Sequence, residues 1–335
     1  MNTPRYKHRV EHLGKVLNTN TWAYLSKDQC DDIRKQYYAK PDFDLVAKNL
    51  KDICAGGTGV SAITRYYVRD LMSKVVLHHS KWSVAEMLEC DDLIRHFHGR
   101  VLSNVDVYPV DIPLIKNFET AIRVGSKGAT GIPTNFPMDV VDSILKTYNI
   151  NDRYYDFSCG WGVRLLSAMK HDIEYLGTDP NHELVERLNT IHRDYDTVNT
   201  NVYMTGSKVD IRCQGSEFFV PEWENSVGVA FSSPPYFTLE DYKIGNQSIN
   251  NRNYDEWLKE YMLPTLNNIK RYLIDGGHLL MNIKNFSKYA LYDDVFSMCE
   301  SIGLVYVETR TLENKPRYSA KDDRNTDESI MVFRK

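Results

Sequence analysis

Tyr154-Tyr155-Asp156-Phe157-Ser158-Cys159-Gly160-Trp161-Gly162-Val163-Arg164 is the stretch that decides the fold. An aromatic run ends on an aspartate, turns through two glycines and opens into Val163–His171, whose spacing predicts a helix. Strand, glycine turn and helix are the opening of a βα unit. The glycines let backbone approach a ligand closely, and the helix start offers free N–H groups. A full G-x-G-x-x-G is absent, because position 165 is Leu. Taken alone, the turn reads equally as a tight strand-to-helix connection.

The alternation continues outward from this turn. Tyr154–Phe157, Glu174–Thr178, Val209–Cys213, Val227–Ser232, Gly277–Ile283 and Leu304–Thr311 read as strands. Val163–His171, His182–Tyr195, Asp255–Ile274 and Leu291–Ile302 read as the helices between them. This order predicts a parallel sheet with helices on both faces. Glu328–Lys335 is one more strand, reached through the loop Glu313–Asp327 with no helix between, so it must pair antiparallel. The expected fold is α/β: a seven-stranded, mostly parallel sheet ending in an antiparallel hairpin.

Three further strand ends carry polar groups. Asp179, in Gly177-Thr178-Asp179-Pro180-Asn181, sits where a carboxylate accepts hydrogen bonds from both hydroxyls of a ribose; alone it is equally a helix cap. Glu217 and Phe218, in Gln214-Gly215-Ser216-Glu217-Phe218, suit the amino group and ring face of a base, or a capped turn with a core Phe. The fourth strand closes on Ser232-Ser233-Pro234-Pro235-Tyr236. Consecutive prolines end the ladder and fix the backbone. The Ser233 hydroxyl and the Pro234 carbonyl are two acceptors, and Tyr236 offers a flat ring, which together suit a planar group bearing –NH2. A plain rigid turn is the other reading.

The order D-x-x-x-G-x-G, then G-T-D, then S-P-P-Y resembles the S-adenosylmethionine-dependent amino-methyltransferases, which modify cytosine N4 and adenine N6 in DNA. The resemblance covers roughly 130–335 and implies the Rossmann-like fold of class I methyltransferases. It implies that Asp156, Ser158, Gly160 and Gly162 contact the methionine end of the cofactor. Asp179 would hold its ribose, and Glu217 or Phe218 its adenine. The segment 131–137, with Phe136, resembles the family's cofactor motif that also touches the methionine moiety. Ser233, Pro234, Pro235 and Tyr236 would hold the target base, flipped out of double-stranded DNA and stacked on Tyr236. Where the family often has F-x-G-S-G, this chain has Ser158, Cys159 and Trp161. Serine at the first position of S-P-P-Y favours cytosine N4 over adenine N6. RNA or a protein amide as acceptor, and a non-catalytic binding module, are the alternatives. Lys243 and Arg252, on the loop after S-P-P-Y, are candidates for phosphate contacts, as are Lys284 and Arg317.

The rest of the chain bounds this reading. It has 335 residues, 42% hydrophobic and 26% charged, the balance of a globular protein with room for two or three domains. Residues 1–125 are expected to be a mainly helical region that reads the target, with helices over Ser26–Tyr38, Ser61–Leu77 and Ser83–Phe97; residues 126–335 are expected to be the catalytic domain. The net charge is −4, but residues 1–130 are net positive and the remainder net negative. The six cysteines are never closer than 24 residues, which argues against metal knuckles and a disulfide framework. Cys90, His96 and His98 lack a fourth zinc ligand at sensible spacing, and no metal is expected. Gly56-Gly57-Thr58-Gly59 lacks the Lys-Ser/Thr of a phosphate-binding loop. No long apolar run and no apolar segment behind the polar start is found, so neither a membrane partner nor a secretory signal is expected, and a cytoplasmic setting is.

Overall fold

The structure, a computed structural model, describes residues 25–78, 80, 82–95, 114–123, 132–200, 206–245, 247–250, 253–285, 289–312 and 328–335. Two compact units divide the chain. One draws on 1–41, 69–134 and 241–243, the other on 42–68, 135–240 and 244–335. These units differ from a single cut between 125 and 126, because residues 42–68 pack with the sheet.

The first unit is helical where it is described. Ser26 caps the helix Lys27–Tyr38: its hydroxyl accepts from the Gln29 amide at 3.1 Å, and the Gln29 side chain accepts from the Ser26 amide at 2.9 Å. Cys30, Ile33 and Tyr37 recur at helical spacing and pack with Val84, Met87 and Phe118. The expected helix Ser61–Leu77 breaks at Val68, so that Ser61–Tyr67 belongs to the second unit and Arg69–Lys74 to the first. The expected helix Ser83–Phe97 is Val84–Leu88 followed by a separate turn over 91–95.

The second unit holds the sheet. Its strands are β1 (Arg153–Asp156), β2 (Glu174–Thr178), β3 (Val209–Arg212), β4 (Val227–Ser232), β5 (Leu273–Ile283), β6 (Val305–Leu312) and β7 (Glu328–Arg334). Their order is β3-β2-β1-β4-β5-β7-β6. The pairings from β3 to β5 are parallel, and β7 lies antiparallel to both β5 and β6. The expected fold class is therefore the observed one. β4 is buried along its whole length, as a central strand covered on both faces must be.

Alternation along β1 feeds two cores. Tyr155 packs against Trp223 and Tyr272 on one face, and Tyr154 against Tyr175 on the other. The helices are α1 (Phe43–Cys54), α2 (Ser61–Tyr67), α3 (Met138–Tyr148), α4 (Val163–Lys170), α5 (His182–Val198), α6 (Leu263–Tyr272) and α7 (Leu291–Ser301). A widened turn, Leu258–Met262, precedes α6 next to Pro264, which has no N–H to continue the regular pattern. The helix ends at Tyr272 rather than Ile274, because Leu273 already enters β5.

One buried polar cluster ties α3 to α4. Asp142 accepts from the Ser167 hydroxyl at 2.5 Å and from the Lys170 ammonium at 2.7 Å, while Lys170 also donates to the Gly57 carbonyl at 3.0 Å. Among the described residues no helix is long and apolar enough to cross a membrane, and no group of three ligating side chains could hold a metal ion. Asp142→Ala leaves the Lys170 ammonium buried without its anion. We expect a loss of about 3–5 kcal/mol of stability, read by urea unfolding.

Candidate functional site

The polar residues after β1, β2, β3 and β4 lie at the carboxyl edge of neighbouring parallel strands, where open α/β sheets bind ligands. The turn after β1 is built on glycine geometry. Gly160 and Gly162 have φ of 58° and 88°, a region that residues with a Cβ rarely adopt. A Cβ on Gly162 would also come within 3.1 Å of Leu188 on α5. Beneath the turn, Asp156 is fully buried and accepts from Arg164 Nε at 2.8 Å and from the Tyr175 hydroxyl at 2.9 Å. Arg164 also donates to the Ser158 carbonyl. Burial alone would lower the Arg164 pKa, but the Asp156 carboxylate outweighs it and the guanidinium stays charged.

The tip of β2 closes on this turn. The Cys159 amide donates to the Thr178 carbonyl at 3.3 Å, and a Cβ on Gly177 would strike Cys159 Sγ at 2.6 Å. Asp179 is 8% exposed, with Oδ1 accepting from the Asn181 amide at 2.9 Å. Burial, helped by the nearby Asp156 charge, pushes its pKa up to about 7 against the pull of the Asn181 and Gly160 amides. Burial and the Asp156 and Asp179 charges likewise hold the Cys159 thiol protonated.

At the end of β3, the Glu217 carboxylate folds over Gly215, where a Cβ would lie 2.1 Å from Oε2. Glu217 Oε2 is buried without a hydrogen-bond partner among the described residues, and burial raises the carboxyl pKa. Phe218 beside it is 60% exposed, an unusual position for so large a ring. A buried acceptor without a donor next to a bare ring fits a ligand that carries both an amino group and a flat face.

At the end of β4, Ser232 donates to the Ser158 carbonyl at 3.1 Å. Ser233 is half-buried, and its hydroxyl donates to the Tyr236 hydroxyl oxygen at 3.4 Å. Tyr236 donates in turn to the Asn282 carbonyl on β5 at 2.8 Å. The Asn282 amide reaches back to within 3.5 Å of Ser233 Oγ. Pro234 is buried and Pro235 half-buried. Tyr236 is only 6% exposed and belongs to the core, so its ring does not lie open for stacking as the sequence suggested. Phe237 follows at φ 48°, a strained value for a bulky residue, held by contacts with Tyr254, Trp257 and Tyr289.

Phe136 packs edge-on against Phe231 of β4, with ring centroids 5.4 Å apart. Lys243 belongs to the first unit, and its ammonium pairs with Asp241 at 2.8 Å. Arg252 and Arg317 lie outside the described residues, as do His96 and His98. Arg164, Tyr175, Ser232 and Asn282 carry site geometry that the sequence did not assign. The available signals were an arginine in the first turn of an apolar helix and an asparagine inside the apolar run of β5.

No family model matches the chain, and no curated protein matches it. Solved structures do. The N-methyltransferase NodS from Bradyrhizobium japonicum is 11% identical, over 59% of this chain and 93% of its own, with a TM-score of 0.41. The 1,6-didemethyltoxoflavin-N1-methyltransferase from Burkholderia thailandensis, solved with S-adenosylhomocysteine, is 10% identical over 59% and 76%, with a TM-score of 0.38. A putative rRNA-methylase from Clostridium thermocellum is 11% identical over 60% and 96%, with a TM-score of 0.39. Likeness at this level decides neither cofactor nor substrate.

The Asp179 carboxyl gives a test independent of any ligand. Its folded pKa lies above the unfolded value, so the native state binds the extra proton and stability falls as pH rises from about 4 to about 7. Asp179→Asn mimics the protonated form. Thermal unfolding should find the variant more stable than the parent by about 2–4 kcal/mol at pH 8 and equal to it below pH 4.

Proposed function

We propose that this chain is an S-adenosylmethionine-dependent methyltransferase that methylates the exocyclic amine of a base flipped out of DNA, with cytosine N4 as the target. The observation that carries the reading is the alignment, along one sheet edge, of a glycine turn, a buried ribose-type carboxylate, an orphaned acceptor beside a bare ring, and the Ser233 turn. The fit to the cofactor rests on the chain's own groups. The 157–162 turn and the start of α4 supply backbone N–H groups for the methionine end. Asp179 accepts from the ribose hydroxyls. Glu217 Oε2 gains the donor it lacks from the adenine amino group, and Phe218 covers the ring.

When bound, S-adenosylmethionine supplies an electrophilic methyl on a sulfonium. The protein's work is alignment. The Ser233 proton is committed to Tyr236, which leaves an oxygen lone pair to accept an amine N–H. The Pro234 carbonyl is the second acceptor. Two acceptors on one amine draw it toward tetrahedral geometry and aim its lone pair. Tyr236, anchored on Asn282, holds the turn in place of offering a stacking face. Serine at position 233 supports cytosine over adenine.

The purified chain, incubated with S-adenosylmethionine and either duplex DNA or RNA, is analysed by nucleoside mass spectrometry. We expect N4-methylcytosine in DNA. N6-methyladenine would overturn the base assignment, methylation only in RNA the polymer, and no methylated nucleoside the nucleic-acid acceptor altogether. Ser233→Ala should lose about 100-fold in turnover and keep S-adenosylhomocysteine binding by titration calorimetry. The parent's affinity for S-adenosylhomocysteine should rise between pH 6 and pH 8, as Asp179 ionises near pH 7 and becomes a stronger acceptor, and Asp179→Asn should flatten that rise.

A further inference from the structure

We infer that Arg164 and Ser232 are positioning residues that hold the glycine turn in register with the Ser233 turn, a role resting on the proposed use of those turns for cofactor and acceptor. One backbone oxygen is the junction. The Ser158 carbonyl accepts from the Arg164 guanidinium and from the Ser232 hydroxyl, the latter at 3.1 Å. Arg164 comes from the first turn of α4, while Ser232 is the last residue of β4 and immediately precedes Ser233. Helix, turn and catalytic strand therefore share one atom.

The burial of both residues argues that this is their task. Ser232 is fully buried at the end of Val-Gly-Val-Ala-Phe, where packing alone would be served by alanine. Its hydroxyl needs a partner there, and the Ser158 carbonyl is that partner. Arg164 is buried on α4 and brings its charge to Asp156. Three groups of the protein donate to Asp156. Oδ2 receives Arg164 at 2.8 Å and Tyr175 at 2.9 Å, and Oδ1 faces the Ser158 amide at 3.3 Å. With no exposed surface, this carboxylate reaches a ligand only through Arg164 and the turn that Arg164 pins. That assigns Asp156 a different role from direct contact with the methionine moiety.

Two measurements on the full chain test this. Calorimetry with S-adenosylhomocysteine compares the parent, Asp156→Asn, Arg164→Lys and the double variant. Each single change should weaken binding about tenfold, and the double variant should lose no more than the worse single, because both act through one pair. Losses that multiply would mean that Asp156 touches the cofactor itself and would overturn the assignment, as would full affinity in Arg164→Lys. The second measurement is hydrogen exchange on Ser232→Ala, which removes one hydroxyl and leaves the core volume almost unchanged. Exchange should rise together in peptides covering 157–162 and 233–239 and stay unchanged in β2 and β3. A rise in neither turn, or in one alone, would overturn the register. Where circular dichroism shows that a charge variant has not folded, the Ser232→Ala exchange decides. A parent that fails to bind S-adenosylhomocysteine overturns the cofactor reading, and the exchange arm then reports separately on whether the turns are linked.

Discussion

The reversal of strand order at β1 is the constraint on which the site depends. From β1 the sheet continues through β2 to β3 on one side and through β4 to β5 on the other. Connections that leave β1 and β4 in opposite directions part at their carboxyl ends, and the gap between them is where such sheets admit ligands. The turns after β1 and β4 border that gap, the turn after β2 lies one strand away and the turn after β3 two. The fully buried β4 fixes how close the two central turns come, and the Ser232 hydroxyl spans the distance between them.

The same edge carries a concentration of buried polar groups that folding alone does not call for. Asp142 and Lys170 also form a buried pair, but there the ammonium, a serine hydroxyl and a backbone carbonyl satisfy one another. At the site, Asp179 is held with its pKa raised to about 7, and Glu217 keeps a buried oxygen without a donor among the described residues. Both arrangements cost stability, and both are relieved by a ligand that brings hydroxyl and amino donors. Groups so perturbed, together at the carboxyl edge of a parallel sheet, mark a functional site more often than a structural one. The strained φ of Phe237, directly after Ser233–Tyr236, belongs to the same pattern.

The sheet was legible in the sequence because covered parallel strands are short apolar runs and their connections are helices. The closing hairpin was legible because the sequence between β6 and β7 carries no helical pattern, so the two strands had to pair antiparallel. Residues 43–67 were harder, since only tertiary packing assigns α1 and α2 to the sheet unit rather than to the helical one. The glycine turn, Asp179 and the Ser233 turn could be named from residue type and order. Side-chain direction could not. Arg164 reads as one more surface charge until its guanidinium is seen turned onto Asp156. Tyr236 reads as a stacking ring until its hydroxyl is found on the Asn282 carbonyl. Asn282 is a single polar letter in Leu-Leu-Met-Asn-Ile, and the meaning of that letter lies in its contacts with Ser233 and Tyr236 on the turn after β4.

On the proposed function, the acceptor is an amine and not a ring carbon. Methylating a pyrimidine carbon requires a nucleophile that first adds to the ring, and a thiolate is the usual choice. The cysteines beside the site do not supply one. Burial and the surrounding carboxylates push the Cys159 thiol well above its ordinary pKa, and burial with the Asp179 charge raises Cys213 as well. What the Ser233 turn offers is acceptors held in fixed directions. An amine lone pair needs alignment and no covalent activation. On the proposed function, the raised Cys159 thiol and the fixed Ser233 turn are both consistent with an amine acceptor.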